Sequence, residues 1–368
     1  MMELFSAQKV EHSHVVRKEE IAWFLRQVLE CAKKKQVVDV GAELMKLTNN
    51  TTCRMLMNMR YSNECDESVK IIGSVKEFVK ILGKIWIGDV LGPLKILAFW
   101  IYGRHAIDVT SRYDEILEKV LKQHEASPKI ENEDLMDILL KVHQDHNAEF
   151  KITRTHLKAI LLDLFGAGTG TSGEAMGWII AELINHPNAY NKVREEIKYV
   201  VGNARLVEEL DVQSLPYLQA VVKEALRLHP PVPIVVRECR KDCKIKEFDI
   251  PEITVVAINV YAINRDPEIW DNANDFWPER FLVSSKEKDV LNYIPFGGGR
   301  RGCPGSKLAL SLMHTTIAAI VQCFDWKVGG EGGDGKVNME VGIGISLPMA
   351  QPFISLPIVH FNPFTSSI

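Results

Sequence analysis

The densest chemistry in the chain lies in ten residues, Phe296-Gly297-Gly298-Gly299-Arg300-Arg301-Gly302-Cys303-Pro304-Gly305. Three consecutive glycines let the backbone come close to a flat ligand, because no Cβ stands in the way. The spacing places Cys303 at the N-cap of a following helix and Pro304 in its first turn, where a fixed φ and a missing N–H are favourable. The helix N-terminus and Arg301 both favour an anion there, so the thiol is expected as a thiolate, the form of cysteine that binds metals. On iron, such a sulfur pushes electron density onto the metal and favours cleavage of a bound O–O bond. By residue type alone, the segment also suits a phosphate-binding turn at a helix start, or a plain turn around a buried free cysteine.

Other candidate residues are weaker signals by themselves. Gly166, Gly168, Gly170, Gly173 and Gly177 fall within twelve residues of one helical stretch, and each costs about 1 kcal/mol relative to alanine inside a helix. Close helix packing is one reason for them. Thr169 and Ser172 suit bonds back to the helix carbonyls. Glu224 and Arg227, three apart, share one helix face, where most such pairs are solvated and contribute about 0–1 kcal/mol. Cys239 and Cys243 have the spacing of two zinc ligands but no second Cys/His pair nearby, and His143 and His146 read as an exposed helix face.

The elements that must position these residues follow from periodicity. From Val15 to Val201 apolar residues recur at three and four, as in Ile21, Phe24, Leu25, Val28, Leu29 and in Ile116, Leu117, Val120, Leu121. Pro128 and the polar run Lys129–Asp134 interrupt this helical block. A long, nearly all-apolar helix is expected over Ile152–Ile184, stopped by Asn185-His186-Pro187, and apolar on every face it belongs in the centre. Helices follow at Ala189–Val201 and Ser214–Leu228. Short strands are then expected at Val232–Val236 and Thr254–Val260, a helix at Gly305–Cys323, a glycine-rich turn at Gly329–Gly335, and strands at Ile343–Leu347 and Ile354–Val359. With no repeat or low-complexity linker, the reading is one mainly α domain over residues 1–368. It comprises an α-rich region 1–230, a β-containing region 231–300, the cysteine loop with its helix 296–323, and C-terminal strands 324–368.

Bulk properties restrict the function class. The chain has 368 residues, 46% hydrophobic, enough for a large core, and 44 basic against 48 acidic residues give a formal net charge of -4. No basic stripe points to nucleic acid. Seven scattered cysteines, Cys31, Cys53, Cys65, Cys239, Cys243, Cys303 and Cys323, do not resemble a disulfide framework and fit a reducing environment. Residues Met1–Glu20 have no apolar h-region. The most apolar stretch, Phe78–Tyr102, contains Lys80, Lys84, Asp89 and Lys95, so it reads as packed inside or lying on a membrane surface rather than crossing one.

Phe296, Gly299, Arg301, Cys303 and Gly305 match, position for position, the haem-binding signature F-x-x-G-x-R-x-C-x-G, and on them the chain resembles the cytochrome P450s. Three further motifs stand in that family's order. Glu224 and Arg227 form the E-x-x-R pair, Pro278-Glu279-Arg280-Phe281 resembles the second motif, and Ala167-Gly168-Thr169-Gly170-Thr171-Ser172 resembles the oxygen-binding segment A-G-x-D/E-T-T/S. Leu215-Pro216-Tyr217-Leu218-Gln219-Ala220, Leu228-His229-Pro230-Pro231 and Gln322-Cys323-Phe324-Asp325-Trp326 resemble plant microsomal members, above all the flavonoid, isoflavonoid and pterocarpan hydroxylases.

The resemblance implies a fold with a long central helix over haem b (iron protoporphyrin IX) and a small β lobe. It makes Cys303 the iron ligand and Phe296, Gly299, Arg301, Gly305, Arg237 and Gly168 haem contacts, with Arg237 and Arg301 on the propionates. Glu224, Arg227 and Arg280 become a buried structural network. Small residues of the central helix leave room for dioxygen, and Thr171 organises protons. Phe165, Ala167, Ile234, Val235 and Leu347 fall where substrate is contacted. The implied activity is monooxygenation of a small apolar plant metabolite with O₂, electrons coming from NADPH-cytochrome P450 reductase. The implied setting is the cytosolic face of the endoplasmic reticulum membrane, with contact to the membrane surface.

Two departures qualify these implications. The plant members begin with an anchoring helix, a proline-rich hinge, an early β-sheet and a Trp/Arg helix that are not found here, so the chain is expected to start partway along the family's length. Gly170 stands where an acid normally precedes the threonine, and a lost general acid commonly costs about 10²–10⁴-fold in rate. Glu174, one helical turn on, or a water held by Thr171 is expected to take over part of this role. A haem-thiolate isomerase or dehydratase, or a catalytically impaired haem-binding protein, would tolerate Gly170 and are the competing readings.

Overall fold

Helix-period residues become buried faces along the first half of the chain. A computed structural model describes residues 10–11, 13–60, 70, 73–75, 77–81, 95–126, 134–145, 147, 151–283, 292–329 and 335–364. Cys65, Pro128, His146, residues 82–94 of the apolar stretch, residues 129–133 of the polar run, residues 330–334 of the glycine-rich turn and the first nine residues lie outside the described ones. The chain divides into two compact units, Met1–Lys34 with Val38–Gly173, and Lys35–Val37 with Glu174–Ile368.

The first unit holds helices α1 (His14–Lys33), α2 (Val40–Met57), α3 (Lys95–Ala126), α4 (Leu135–Gln144) and the start of α5 (Arg154–Asn185), with a two-residue strand β1 (Val38–Asp39). Asp39 caps α2 by accepting the Ala42 N–H at 3.0 Å, and Asp134 with Asp137 makes a reciprocal capping box on α4. Leu117, Val120 and Leu121 of α3, Met136, Leu139 and Leu140 of α4, and Leu157, Leu161, Leu164 and Phe165 of α5 form one apolar cluster. On α1, Ile21, Phe24, Leu25, Val28 and Leu29 are buried together, as their spacing predicts. Buried Glu20 accepts from Arg54 at 2.7 Å and Arg60 at 2.6 Å.

The second unit contains the rest of α5, then α6 (Pro187–Val201), α7 (Pro216–Leu228), the one-turn helices α8 (Val260–Ile263) and α9 (Arg280–Val283), and α10 (Ser306–Cys323). Its strands pair as antiparallel ribbons: β2 (Ile234–Glu238) with β5 (Val255–Asn259), β3 (Cys243–Ile245) with β4 (Phe248–Ile250), and β6 (Phe324–Val328) with β7 (Ile354–Val359). The expected mainly α fold with a small β part is what is observed. α6 and α7 each begin on a proline, which needs no N–H partner in the first turn.

Three expectations are corrected. The helix α5 is buried on all sides only over 175–183; Thr155, His156, Ala159, Asp163 and Ala167 are exposed, because its first turns lie on a core with one face. Residues 343–346 are bends and Leu347 is irregular rather than strand, with an isolated bridge Val341–Met349 beside them. There the loop folds onto itself so tightly that a Cβ on Gly342 would lie 3.1 Å from the Met349 carbonyl, leaving no extended partner to pair with. Finally, Cys303 is not the N-cap. α10 begins at Ser306 with Gly305 as its cap, and Cys303 precedes it in a turn.

Candidate cofactor-ligand site

The ligand loop is held by its own backbone. The Cys303 N–H donates to the Phe296 carbonyl at 2.8 Å, Gly302 to Gly299 at 3.1 Å and Gly297 to Ile294 at 3.0 Å, closing a 3₁₀ turn over Gly299–Arg301. Gly297 and Gly299 have φ of +69° and +65°, where a side chain is strained, and a Cβ on Gly302 would meet the Gly299 carbonyl at 3.3 Å. Gly298 has an extended φ of -151°, and a Cβ added there meets nothing within 4 Å. Neither backbone conformation nor internal packing requires a glycine at 298, whose side-chain direction is open. Cys303 is exposed, as are Gly298, Gly299, Arg300 and Arg301.

Behind this loop the expected polar network forms. Arg227 donates to both Glu224 oxygens at 2.9 and 2.8 Å, and Arg280 adds a bond to Glu224 Oε1 at 3.1 Å. Arg227 also reaches the carbonyls of Asn264 at 2.6 Å and Ala273 at 2.7 Å, so its guanidinium ties α7 to the 264–277 segment. Both Glu224 and Arg227 are fully buried. From Arg280 the connection runs through the next residue: Phe281 meets Tyr293 edge-on at 5.1 Å, just before the ligand loop.

Arg237 lies within β2 rather than after it, because the ladder continues to Glu238 opposite Val255. Its guanidinium donates to the Arg301 carbonyl at 3.5 Å, which brings one exposed cation to the loop, and Arg301 is itself exposed. Val235 shares the Arg237 face of the strand, while Ile234 is on the other and is exposed.

The glycines of α5 separate by cause. A Cβ on Gly168 would meet Thr52 Oγ1 at 3.2 Å, and one on Gly173 would meet Met45 Sδ at 2.7 Å, so close packing against α2 requires both. Thr48 and Thr52 of α2 donate to the carbonyls of Thr169 at 2.7 Å and Gly168 at 3.3 Å. Added Cβ atoms on Gly166, Gly170 and Gly177 meet nothing within 4 Å. Thr171 donates back to the Ala167 carbonyl at 2.8 Å, as Thr169 does to Phe165. Phe165 is fully buried in the first unit's core, whereas Ala167 is exposed.

In the second unit Glu174 accepts the Ser346 hydroxyl at 3.0 Å, and its Oε2 is buried with no partner among the described residues. Burial raises this carboxyl above the usual range, with Ser346 opposing. One turn on, Trp178 donates to the Leu347 carbonyl at 2.7 Å and stacks on His229 at 4.2 Å, and His229 meets Glu182 at 2.7 Å. Leu347 is itself buried. Ser346 was not among the expected site residues, since it sits in a loop distant in sequence. The i, i+4, i+8 spacing of Glu174, Trp178 and Glu182 was the available signal for the rest.

The residues present fit an iron porphyrin. An exposed soft sulfur donor, a glycine whose side-chain direction is open, and the exposed Arg237 and Arg301 answer respectively to a metal, a flat ring and anionic substituents.

Comparison with known proteins gives the same answer independently. The family model for cytochrome P450 matches residues 1–352. Arabidopsis thaliana cytochrome P450 705A5 is 44% identical over 97% of this chain and 71% of its own length. From Glycine max, 3,9-dihydroxypterocarpan 6A-monooxygenase is 39% identical over 99% of this chain and 74% of its own length. Beta-amyrin 24-hydroxylase, also from Glycine max, is 39% identical over 100% and 74%. A solved zebrafish cytochrome P450 with abiraterone superposes with a TM-score of 0.79 at 25% identity, covering 98% of this chain and 80% of that one. A self-bonded loop that turns one cysteine outward, the buried Glu/Arg/Arg network behind it and these likenesses agree: the chain belongs to the cytochrome P450 family.

Proposed function

We propose that this cytochrome P450 is a haem-thiolate monooxygenase that places one oxygen atom of O₂ into an apolar, polycyclic plant metabolite. Electrons come from an NADPH-dependent reductase, at the cytosolic face of the endoplasmic reticulum membrane. The observation that carries this reading is the outward-facing Cys303, held by the backbone bond from its own N–H to Phe296. Bound haem supplies the oxygen-activating redox chemistry, and the thiolate tunes it. The loop presents the sulfur at a fixed position, and Arg237 and Arg301 would hold the anionic substituents of the ring.

Proton handling falls to the chain's own residues. Thr171 keeps its hydroxyl on the Ala167 carbonyl and must rotate to serve another acceptor. Glu174 holds a proton more readily than an exposed carboxyl does, because burial disfavours its charge. With an open direction at Gly170 and no acid there, Glu174 on Ser346 is the nearby acid that the reading uses. A Cβ at 170 meets nothing within 4 Å, so Gly170→Asp starts into open space. Unchanged product per NADPH in that variant supports Glu174 as proton source, and a large gain counts against it.

The flavonoid, isoflavonoid and pterocarpan skeletons are the first substrates of this reading, and the likeness to a pterocarpan monooxygenase supports it. The likeness to a β-amyrin hydroxylase makes the triterpene skeleton the competitor. The test is incubation of the haem-loaded chain with plant reductase, NADPH and labelled O₂ against panels of both skeletons, read by mass spectrometry. A product heavier by one labelled oxygen, dependent on reductase, is expected. Turnover that proceeds without reductant and without label overturns the monooxygenase assignment.

A further inference from the structure

The cysteines other than the ligand differ in surroundings. Cys53 and Cys323 are buried, and burial pushes the Cys323 thiol up to about 12; Cys31 is partly exposed on α1. The sulfurs of Cys239 and Cys243 meet at 3.9 Å, with Cys243 exposed and Cys239 half-buried.

Both backbones are pinned. The Cys239 N–H donates to Thr254 at 2.9 Å and its carbonyl accepts from Ile253 at 2.8 Å, which extends the β2–β5 ladder by one residue. Cys243 opens β3 opposite Ile250, and Asp242 between them accepts the Glu252 N–H at 2.7 Å. A disulfide bond is about 2.0 Å long, so the two sulfurs, 3.9 Å apart, need a further approach of about 1.9 Å to bond. Arg240, Lys241 and Lys244 neighbour the pair in sequence and are exposed, and their positive charge favours the approach of an anionic thiol reagent.

We propose that Cys239 and Cys243 are a thiol-modification site that forms a reversible disulfide by exchange with a low-molecular-weight disulfide of the glutathione class. The Cys243 thiolate attacks one sulfur of oxidised glutathione, that S–S bond breaks, and one glutathione thiolate leaves and takes up a proton equivalent to the one Cys243 released. Cys239, deprotonated in turn, attacks Cys243 Sγ in the mixed disulfide and expels the second glutathione, which takes up the second proton. Two electrons pass from the protein to glutathione disulfide, leaving the Cys239–Cys243 bond and two reduced glutathiones. The Cys239 thiol is raised, first by desolvation and then by its hydrogen bond with Cys243, which suits it to the resolving role. An exposed disulfide across so short a loop is of the labile rather than the structural kind.

The test uses the haem-loaded chain equilibrated in glutathione buffers of stepped oxidation, acid-quenched, alkylated and digested with trypsin. Cleavage after Arg237, Arg240, Lys241 and Lys244 makes the disulfide visible as Glu238–Arg240 joined to Asp242–Lys244. The joined peptide is expected to rise in one two-electron step and to vanish with dithiothreitol, while Cys239→Ser stops at a single glutathione on Cys243. Absence of the joined peptide at the most oxidising ratio overturns the proposal. So does its appearance only together with modification of buried Cys53 and Cys323, which marks unfolding.

Discussion

The Glu224–Arg227–Arg280 network and the 296–305 loop belong to the same unit and use polar groups in opposite ways. In the network the hydrogen bonds close inward, on carboxylate oxygens and on the carbonyls of Asn264 and Ala273, around two fully buried charged residues. In the loop the backbone bonds close on the loop itself and leave the Cys303 sulfur and the Gly298 face outside. The first arrangement fixes geometry, since a buried ion pair contributes little net stability yet is costly to break. The second presents a reactive atom from a turn closed mainly by its own backbone bonds. The glycines of α5 repeat the contrast: Gly173 is required by Met45 against it, and Gly170 faces open space.

Breaking the network should have the largest effect on stability. Glu224→Ala strands two guanidinium groups and is expected to cost about 3–5 kcal/mol, measured by denaturant unfolding of the haem-free protein. Next, Gly173→Ala forces a Cβ to within 2.7 Å of Met45 Sδ and 3.3 Å of its Cα, and overpacking of this kind costs about 1–3 kcal/mol. Gly170→Ala, by contrast, meets open space and should stabilise the helix by about 0.5–1 kcal/mol. A loss of stability there would show that the position is crowded. Cys303→Ser should move unfolding of the haem-free chain by less than about 0.5 kcal/mol, while abolishing the thiolate-type Soret band of the reduced carbon monoxide complex. If that band survives, Cys303 is not the ligand.

The smallest effect concerns pH. Burial raises Glu174, so the folded state binds its proton more tightly than the unfolded chain does. Its contribution is greatest below the unfolded carboxyl value of about 4.3 and is lost as pH rises through the folded value, because unfolding then releases a proton from a site that resists charge. Glu174→Gln should flatten that part of the stability profile. A steeper decline in the variant would assign the slope to another group.

Local rules accounted for much of the molecule. The helix periods at Ile21–Leu29 and Ile116–Leu121, the strand Ile354–Val359 and the prolines that start α6 and α7 are each decided within a few residues, so the chain displays them directly. The cysteine signature belongs to the same class, because a turn that bonds to itself carries its geometry in its own residues. The tertiary structure alone decided which glycines serve packing, since that depends on Met45 and Thr52, more than a hundred residues away. It also decided that 343–346 bends rather than pairs, and that Ser346 meets Glu174. Backbone conformation and turn chemistry act between neighbours in sequence. Close packing and the partners of a buried carboxyl act between neighbours in space, and only the folded chain brings those together.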